Sequence, residues 1–177
     1  MGNLNFSLGL LVSILILGCA KNLPTEIAAG LPVGGNKPAG EKTYLQGSFE
    51  TTEAANITLN EQIQKPMVLI FSQDTCLICR AETKMLVEKF QAGLPQNVDI
   101  YTILVGTILE DALDFKEELR IPWPVGFQSG DVFFKAYCPG LKVPCVIVQT
   151  PAEGYVFQKT GEFSVTELEK HTGAWVY

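Results

Sequence analysis

Cys76 and Cys79 are the residues of this chain best placed to do chemistry: two sulfurs three positions apart in Cys76-Leu77-Ile78-Cys79. Apolar residues at Ile78, Ala81, Met85, Leu86 and Phe90 predict a helix opening at this motif, with Arg80, Glu82, Lys84 and Glu88 on its other side. Asp74 or Thr75 can cap its start. Unpaired amide N–H groups and the positive end of the helix dipole stabilise a thiolate on Cys76 and lower its pKa. Cys79 is close enough to close a disulfide with it. The pair therefore reads as a dithiol/disulfide switch.

The elements around it must hold it in place. Met67 to Phe71 is a bounded apolar run after Pro66 and predicts a buried strand feeding the loop Ser72 to Thr75. Asn56 to Leu59 predicts a short edge strand, and Val98 to Val105 a second buried one. Thr107-Ile108-Leu109-Glu110 has the spacing of a capping box, opening a helix with Ile108, Ala112, Phe115 and Leu119 on one face. Strand, helix, strand, helix implies right-handed crossovers and a parallel core sheet. Ile121 to Val125 is extended and Pro-rich; its Trp123 is expected to pack in the interior rather than stand at the mouth of the site. Asp131 to Tyr137 predicts a short helix, Val143 to Val148 a strand opening at a proline, and Tyr155 to Phe157 its antiparallel return. Ser164 to Glu167 is a second capping box, starting the last helix.

Bulk composition narrows the function. The 177 residues are 47% hydrophobic and 18% charged, which suits one packed domain plus a tail. A net charge of -6 supplies no basic stripe for phosphates, so nucleic acid is excluded as a partner. The single histidine, His171, removes most His-based metal and acid/base chemistry, and neither metal nor cofactor is expected.

The N-terminal part has a different character. Met1 to Gly18 lacks charged side chains, and Leu8 to Leu17 is too short an apolar run to span a bilayer comfortably. It ends in Ile16-Leu17-Gly18-Cys19, which resembles a bacterial lipobox, although no Lys or Arg precedes the apolar core. The resemblance implies a signal peptide over residues 1–18, lipidation at Cys19, and export to the cell envelope facing the periplasm or cell exterior; an uncleaved hydrophobic anchor, or an ordinary signal peptide with a coincidental cysteine, is the alternative and also implies export. Ala20 after the cysteine favours the outer membrane where a cell has two. Residues 19–47, punctuated by Gly and Pro, read as a tether, and residues 48–177 as the folded domain. About 25 flexible residues would reach roughly 25–30 Å from the membrane.

A buried strand, a CxxC at a helix start, then Val143-Pro144 some 65 residues later before an apolar strand, a hairpin and a last helix: this order resembles the thioredoxin-like family. The likeness covers about Asn56 to His171 and is nearest to the membrane-anchored thiol-disulfide oxidoreductases of the TlpA, ResA and redoxin kind. It implies an α/β fold with a mixed sheet, a parallel core plus a C-terminal antiparallel hairpin, and helices on both faces. It also implies that Pro144 is cis and faces the dithiol, and that Val143 offers backbone groups to a bound peptide. Two positions depart from the pattern. Thr75 stands where the family usually has Trp, and Ile70 where thioredoxins proper carry a buried Asp. Proton transfer then falls to water, Asp74 or Glu82; Asp74 opposes thiolate formation and Arg80 favours it.

The resemblance implies exchange between Cys76/Cys79 and exported disulfide or dithiol proteins, with the reductant direction favoured and a membrane thiol reductase as electron donor. Cys138 and Cys145 form a further pair, for which a structural or regulatory disulfide, two buried thiols, and a relay or metal role beside Pro144 stay open. Rival functions are a Cu(I) metallochaperone, which on this fold would add a histidine near the last strands, and a thiol peroxidase, which would need Pro and Thr upstream at set spacing. A non-catalytic binding module is the third.

Overall fold

The computed structural model describes residues 42–60, 62–93, 97–128, 130 and 132–173. The signal segment, Cys19 and most of the expected tether lie outside them. Among the described residues no helix is long and apolar enough to cross a membrane.

Among the described residues seven strands form one mixed sheet: β1 (Gly47–Thr51), β2 (Asn56–Leu59), β3 (Met67–Ser72), β4 (Asp99–Val105), β5 (Val125–Gln128), β6 (Cys145–Thr150) and β7 (Gly154–Thr160), in spatial order β2-β1-β5-β4-β3-β6-β7. β3, β4 and β5 are parallel, whereas β6 runs antiparallel to β3 and β7 to β6. β3 lies in the middle and is buried along its whole length, which is why Met67 to Phe71 reads as an uninterrupted apolar run.

Alternation along the strands divides the core in two. Val68, Ile70, Ile100, Leu104 and Val146 point to one face, under α1 (Leu77–Gln91), α2 (Leu109–Leu119) and α4 (Val165–Thr172). Leu69, Phe71, Ile103 and Ile147 point to the other, under α3 (Val132–Tyr137). Each large apolar side chain so buried stabilises the fold by about 1.5–3 kcal/mol relative to exposure.

Several expectations need correction. The sequence reading has no counterpart for β1, which pairs antiparallel with both β2 and β5. Its Phe49 fits where Gly126 leaves space, since a Cβ there would lie 2.6 Å from the ring. Residues 43–47, assigned to the tether, belong to the fold: Leu45 is fully buried, and Thr43 bridges to Gly154. At α2 the N-cap is Ile108, with no side-chain cap bond, and Ile108 is exposed rather than part of the buried face. The Ser164 capping box forms with both of its hydrogen bonds. Trp123 is buried, donates to Thr102 Oγ1 at 3.0 Å and meets Phe90 edge to face.

Candidate redox site

The redox pair sits where the central strand hands over to a helix. β3 ends at Ser72, the three loop residues Gln73 to Thr75 follow, and Cys76 is itself the N-cap of α1. Its Sγ accepts a hydrogen bond from the Cys79 N–H at 3.1 Å, replacing the Thr75 or Asp74 cap expected from sequence. Asp74 instead binds locally, its Oδ1 accepting from the Thr75 N–H. A sulfur in the capping position receives one of the orphan amide donors of the helix start, which is the arrangement that stabilises a thiolate.

Cys76 and Cys79 are joined by a disulfide, with Cα atoms 5.2 Å apart. Cys76 is partly exposed and Cys79 buried. The outer sulfur is therefore the one a partner can reach, and the inner one meets only what Cys76 brings.

Arg80 does not stand free beside the pair. Its Nη1 donates to the Asp74 carbonyl at 2.8 Å, its Nη2 pairs with Glu118 of α2, and the guanidinium lies 5.3 Å from the Phe115 ring centre. The cation fixes the loop to α1 and α1 to α2, and the Glu118 carboxylate offsets its charge. Arg80 in turn holds the Glu118 carboxyl below its usual range.

The buried face of α1 is not the one drawn from the sequence. Cys79, Glu82, Thr83, Leu86 and Val87 are buried, while Ile78 and Ala81 are exposed. Glu82 lies one turn after Cys79 on the same face. Its Oε1 accepts from the Phe163 N–H at 2.8 Å, and its Oε2 is buried with no partner among the described residues. Burial pushes its pKa up to about 7, partly offset by the Phe163 amide. Ser72 Oγ, on the α1 side of β3 by alternation with Val68 and Ile70, is likewise buried and without a partner among the described residues. The sequence signal for these groups is a lone polar residue closing an apolar strand and a carboxylate three positions after a cysteine.

The Val143–Pro144 peptide bond is cis. Pro144 directly precedes Cys145, which pairs with Phe71 at the end of β3, so β6 starts at the end of the sheet where the CxxC loop leaves β3. The Pro144 carbonyl accepts from the Gly161 N–H at 2.8 Å. Cys138 and Cys145 form a second disulfide, both residues fully buried, tying the end of α3 to the start of β6. His171 of α4 stacks on Phe157 of β7, among residues of the β6–β7 turn at the opposite end of the sheet, and is not brought to the dithiol. Among the described residues no cluster of three His, Cys, Asp or Glu is arranged to hold a metal ion.

No family model matches the sequence, and no curated protein matches it. Solved structures do resemble it. A secreted Mycobacterium tuberculosis disulfide oxidoreductase homologous to Escherichia coli DsbE is 20% identical, with a TM-score of 0.59 over 73% of this chain and 96% of its own. The thioredoxin domain of a thiol-disulfide oxidoreductase from Bacteroides vulgatus is 21% identical, with a TM-score of 0.62 over 74% and 96%. StoA from Bacillus subtilis is 17% identical, with a TM-score of 0.59 over 71% and 95%. At such identities the likeness concerns architecture, and the architecture is plain: this chain has the thioredoxin-like fold, with a disulfide-linked CxxC at the start of the helix that follows its central strand.

Proposed function

We propose that the chain is an exported, membrane-anchored thiol-disulfide oxidoreductase, exchanging Cys76/Cys79 with protein partners and working as a reductant. The observation that carries this reading is the Cys76–Cys79 disulfide at a helix N-cap, its outer sulfur partly exposed and its inner one buried. The lipid anchor at Cys19, the envelope location and a membrane dithiol donor rest on the sequence pattern alone. The solved structures named above include oxidoreductases, one of them secreted, which favours the same chemistry here.

In the reducing direction the Cys76 thiolate attacks one sulfur of the partner's disulfide. The Cys76–partner bond forms, the partner's S–S bond breaks, and its other sulfur leaves as a thiolate. Cys79, losing its proton, attacks Cys76 Sγ; the intramolecular disulfide forms and the second partner thiolate departs. Two electrons pass to the partner, whose thiolates take up two protons, and a membrane dithiol restores the reduced pair. Glu82, one turn below Cys79 with an oxygen unpartnered among the described residues, is the group to receive the Cys79 proton. Val143 and Pro144 border the same end of the sheet, where the partner's chain would lie.

Cys76→Ser is expected to abolish disulfide turnover, and Cys79→Ser to accumulate mixed disulfides visible on non-reducing gels. Wild-type rates from the Cys76→Ser protein would end this reading. A Cu(I) carrier would instead bind copper tightly without reducing disulfides, and a peroxidase would consume peroxide.

A further inference from the structure

The end of β7 and the start of α4 meet the redox end of the sheet. Thr160, the last residue of β7, pairs with Cys145 of β6. Next along the chain, the Gly161 N–H donates to the Pro144 carbonyl at 2.8 Å. Two positions further, the Phe163 N–H donates to Glu82 Oε1 at 2.8 Å. Residues 161–163 therefore hold, through backbone amides alone, both the proline that the client's chain would pass and the carboxylate one turn below Cys79. Glu162 between them is exposed.

This stretch is clasped from behind. Lys159 Nζ donates to both oxygens of Glu167, at 2.6 and 2.9 Å. Glu167 Oε2 also accepts from the Ser164 N–H at 2.8 Å, while Ser164 Oγ accepts from the Glu167 N–H at 3.2 Å. One carboxylate thus ties the end of β7 to the first turn of α4 and fixes the span of the residues between. Starting the helix does not require Lys159, because the Ser164 capping box satisfies both amides by itself. Nor is the pair a large source of stability, since both side chains are more than a third exposed. Its consequence is geometric. The charged groups that act on Glu82 belong to the same stretch: Lys159 favours its ionised form, and Glu162 and Glu167 oppose it. The β3 residues on that face are uncharged, and Arg80 of α1 is turned to Glu118 of α2.

We infer that the Lys159–Glu167 clasp is a positioning device for disulfide exchange: it keeps Gly161 on Pro144 and Phe163 on Glu82 at one spacing, so that client seating and proton acceptance are set together. This rests on the exchange reading above, in which the client's chain lies beside Pro144 and Glu82 takes the proton of Cys79. Lys159 and Glu167 act through the two amides, not on a sulfur.

The test follows a single turnover of the full chain, with Cys76 and Cys79 reduced, on dithiobis-nitrobenzoate, a disulfide whose two thiolates are coloured. Attack by the Cys76 thiolate breaks the reagent's S–S bond, forms the mixed disulfide and releases one thiolate. Cys79 then loses its proton, attacks Cys76 Sγ and releases the second, so the two phases read the two steps. Glu167→Ala should slow the second phase about tenfold near neutral pH, part of what a general base contributes, and change the first by less than about twofold. It should also raise the KM for a cystine peptide about threefold, the worth of one hydrogen bond. Glu167→Gln keeps acceptors for Lys159 and Ser164 while removing the charge, and should stay near wild type in both. Lys159→Met, which leaves the capping box intact, should repeat the Glu167→Ala pattern, and decides the matter if circular dichroism shows Glu167→Ala unfolded. Both phases slowed alike, a second phase unmoved in Glu167→Ala and Lys159→Met, equal slowing in Glu167→Gln, or an unmoved KM overturns the positioning device and leaves exchange intact. Failure of wild type to reduce the cystine peptide overturns both.

Discussion

Glu82 is the residue whose physics most departs from its surface-like appearance in the sequence. Its carboxyl is buried against Phe163, and burial raises its pKa from 4.5 to about 7. Between those values the folded chain holds a proton that the unfolded chain has released. Stability from this group is therefore fully present below pH 4.5 and is lost as pH rises through 7. Glu82→Gln keeps an acceptor for the Phe163 amide and removes the titration. Its unfolding free energy should vary less with pH across this window and exceed that of wild type at pH 8, where wild type buries a charged carboxylate, by on the order of 1–3 kcal/mol. The same variant should slow resolution of the mixed disulfide by on the order of 100-fold near neutral pH, as Cys79 loses its proton acceptor. A stopped-flow pH profile identical to wild type would assign Glu82 a structural role only. The sequence pointed to Glu82 as a possible proton acceptor yet placed it on the solvent side, because counting apolar residues assigns any carboxylate to water. Only the Phe163 amide, reaching it from 81 positions away, reveals why burial is tolerated.

At the scale of elements, the junction between α3 and β6 is held covalently. Cys138 and Cys145 are both fully buried, unlike Cys76, so reductant should reach the two disulfides in sequence. Thiol counting during stepwise reduction of the native protein should give two new thiols at low dithiothreitol and the second two only once the protein is unfolded. Simultaneous release of all four would contradict the burial. Replacing both with alanine removes a closed loop of eight residues and should cost about 2.5 kcal/mol by the chain-entropy estimate. The spacing of these cysteines was legible in the sequence, but the choice between disulfide and free thiols was not, because pairing depends on where α3 ends relative to β6. Elements with strong local signals were legible: β3 through its unbroken apolar run, α4 through its capping box. β1 was not, since Gly-Ser-Phe-Glu-Thr has little apolar periodicity and owes its strand state to hydrogen bonds with β2 and β5. The cap of α1 was misassigned because oxygen caps are the usual rule, and here a sulfur takes the place.

Taken whole, the molecule has two unlike ends. One carries the CxxC loop, the start of α2 and the approach to β6, with the exposed apolar side chains. At the other lies the β6–β7 turn, and the first described residues dock there. Thr43 bridges Gly154, the Tyr155 N–H donates to the Thr43 carbonyl at 2.7 Å, and Tyr44 Oη donates to the Pro151 carbonyl at 3.1 Å. Thr43 and Tyr44 therefore sit at the end of the domain remote from the redox pair. Gly154 makes this junction possible. Its φ is +73°, and a Cβ would lie 2.4 Å from the Thr43 carbonyl oxygen, so a side chain meets both a backbone penalty and a clash. Gly154→Ala should lower the stability of the domain in a denaturant titration by about 1–3 kcal/mol. The rate at which the reduced pair attacks glutathione disulfide should change by less than twofold, because the disturbance stays at the far end of the sheet. A Gly154→Ala protein that kept its stability would show that Thr43 and Tyr44 are not anchored at this turn. A protein that lost exchange activity while remaining folded would show that the two ends are coupled, and that the junction with the N-terminal segment helps set the redox site.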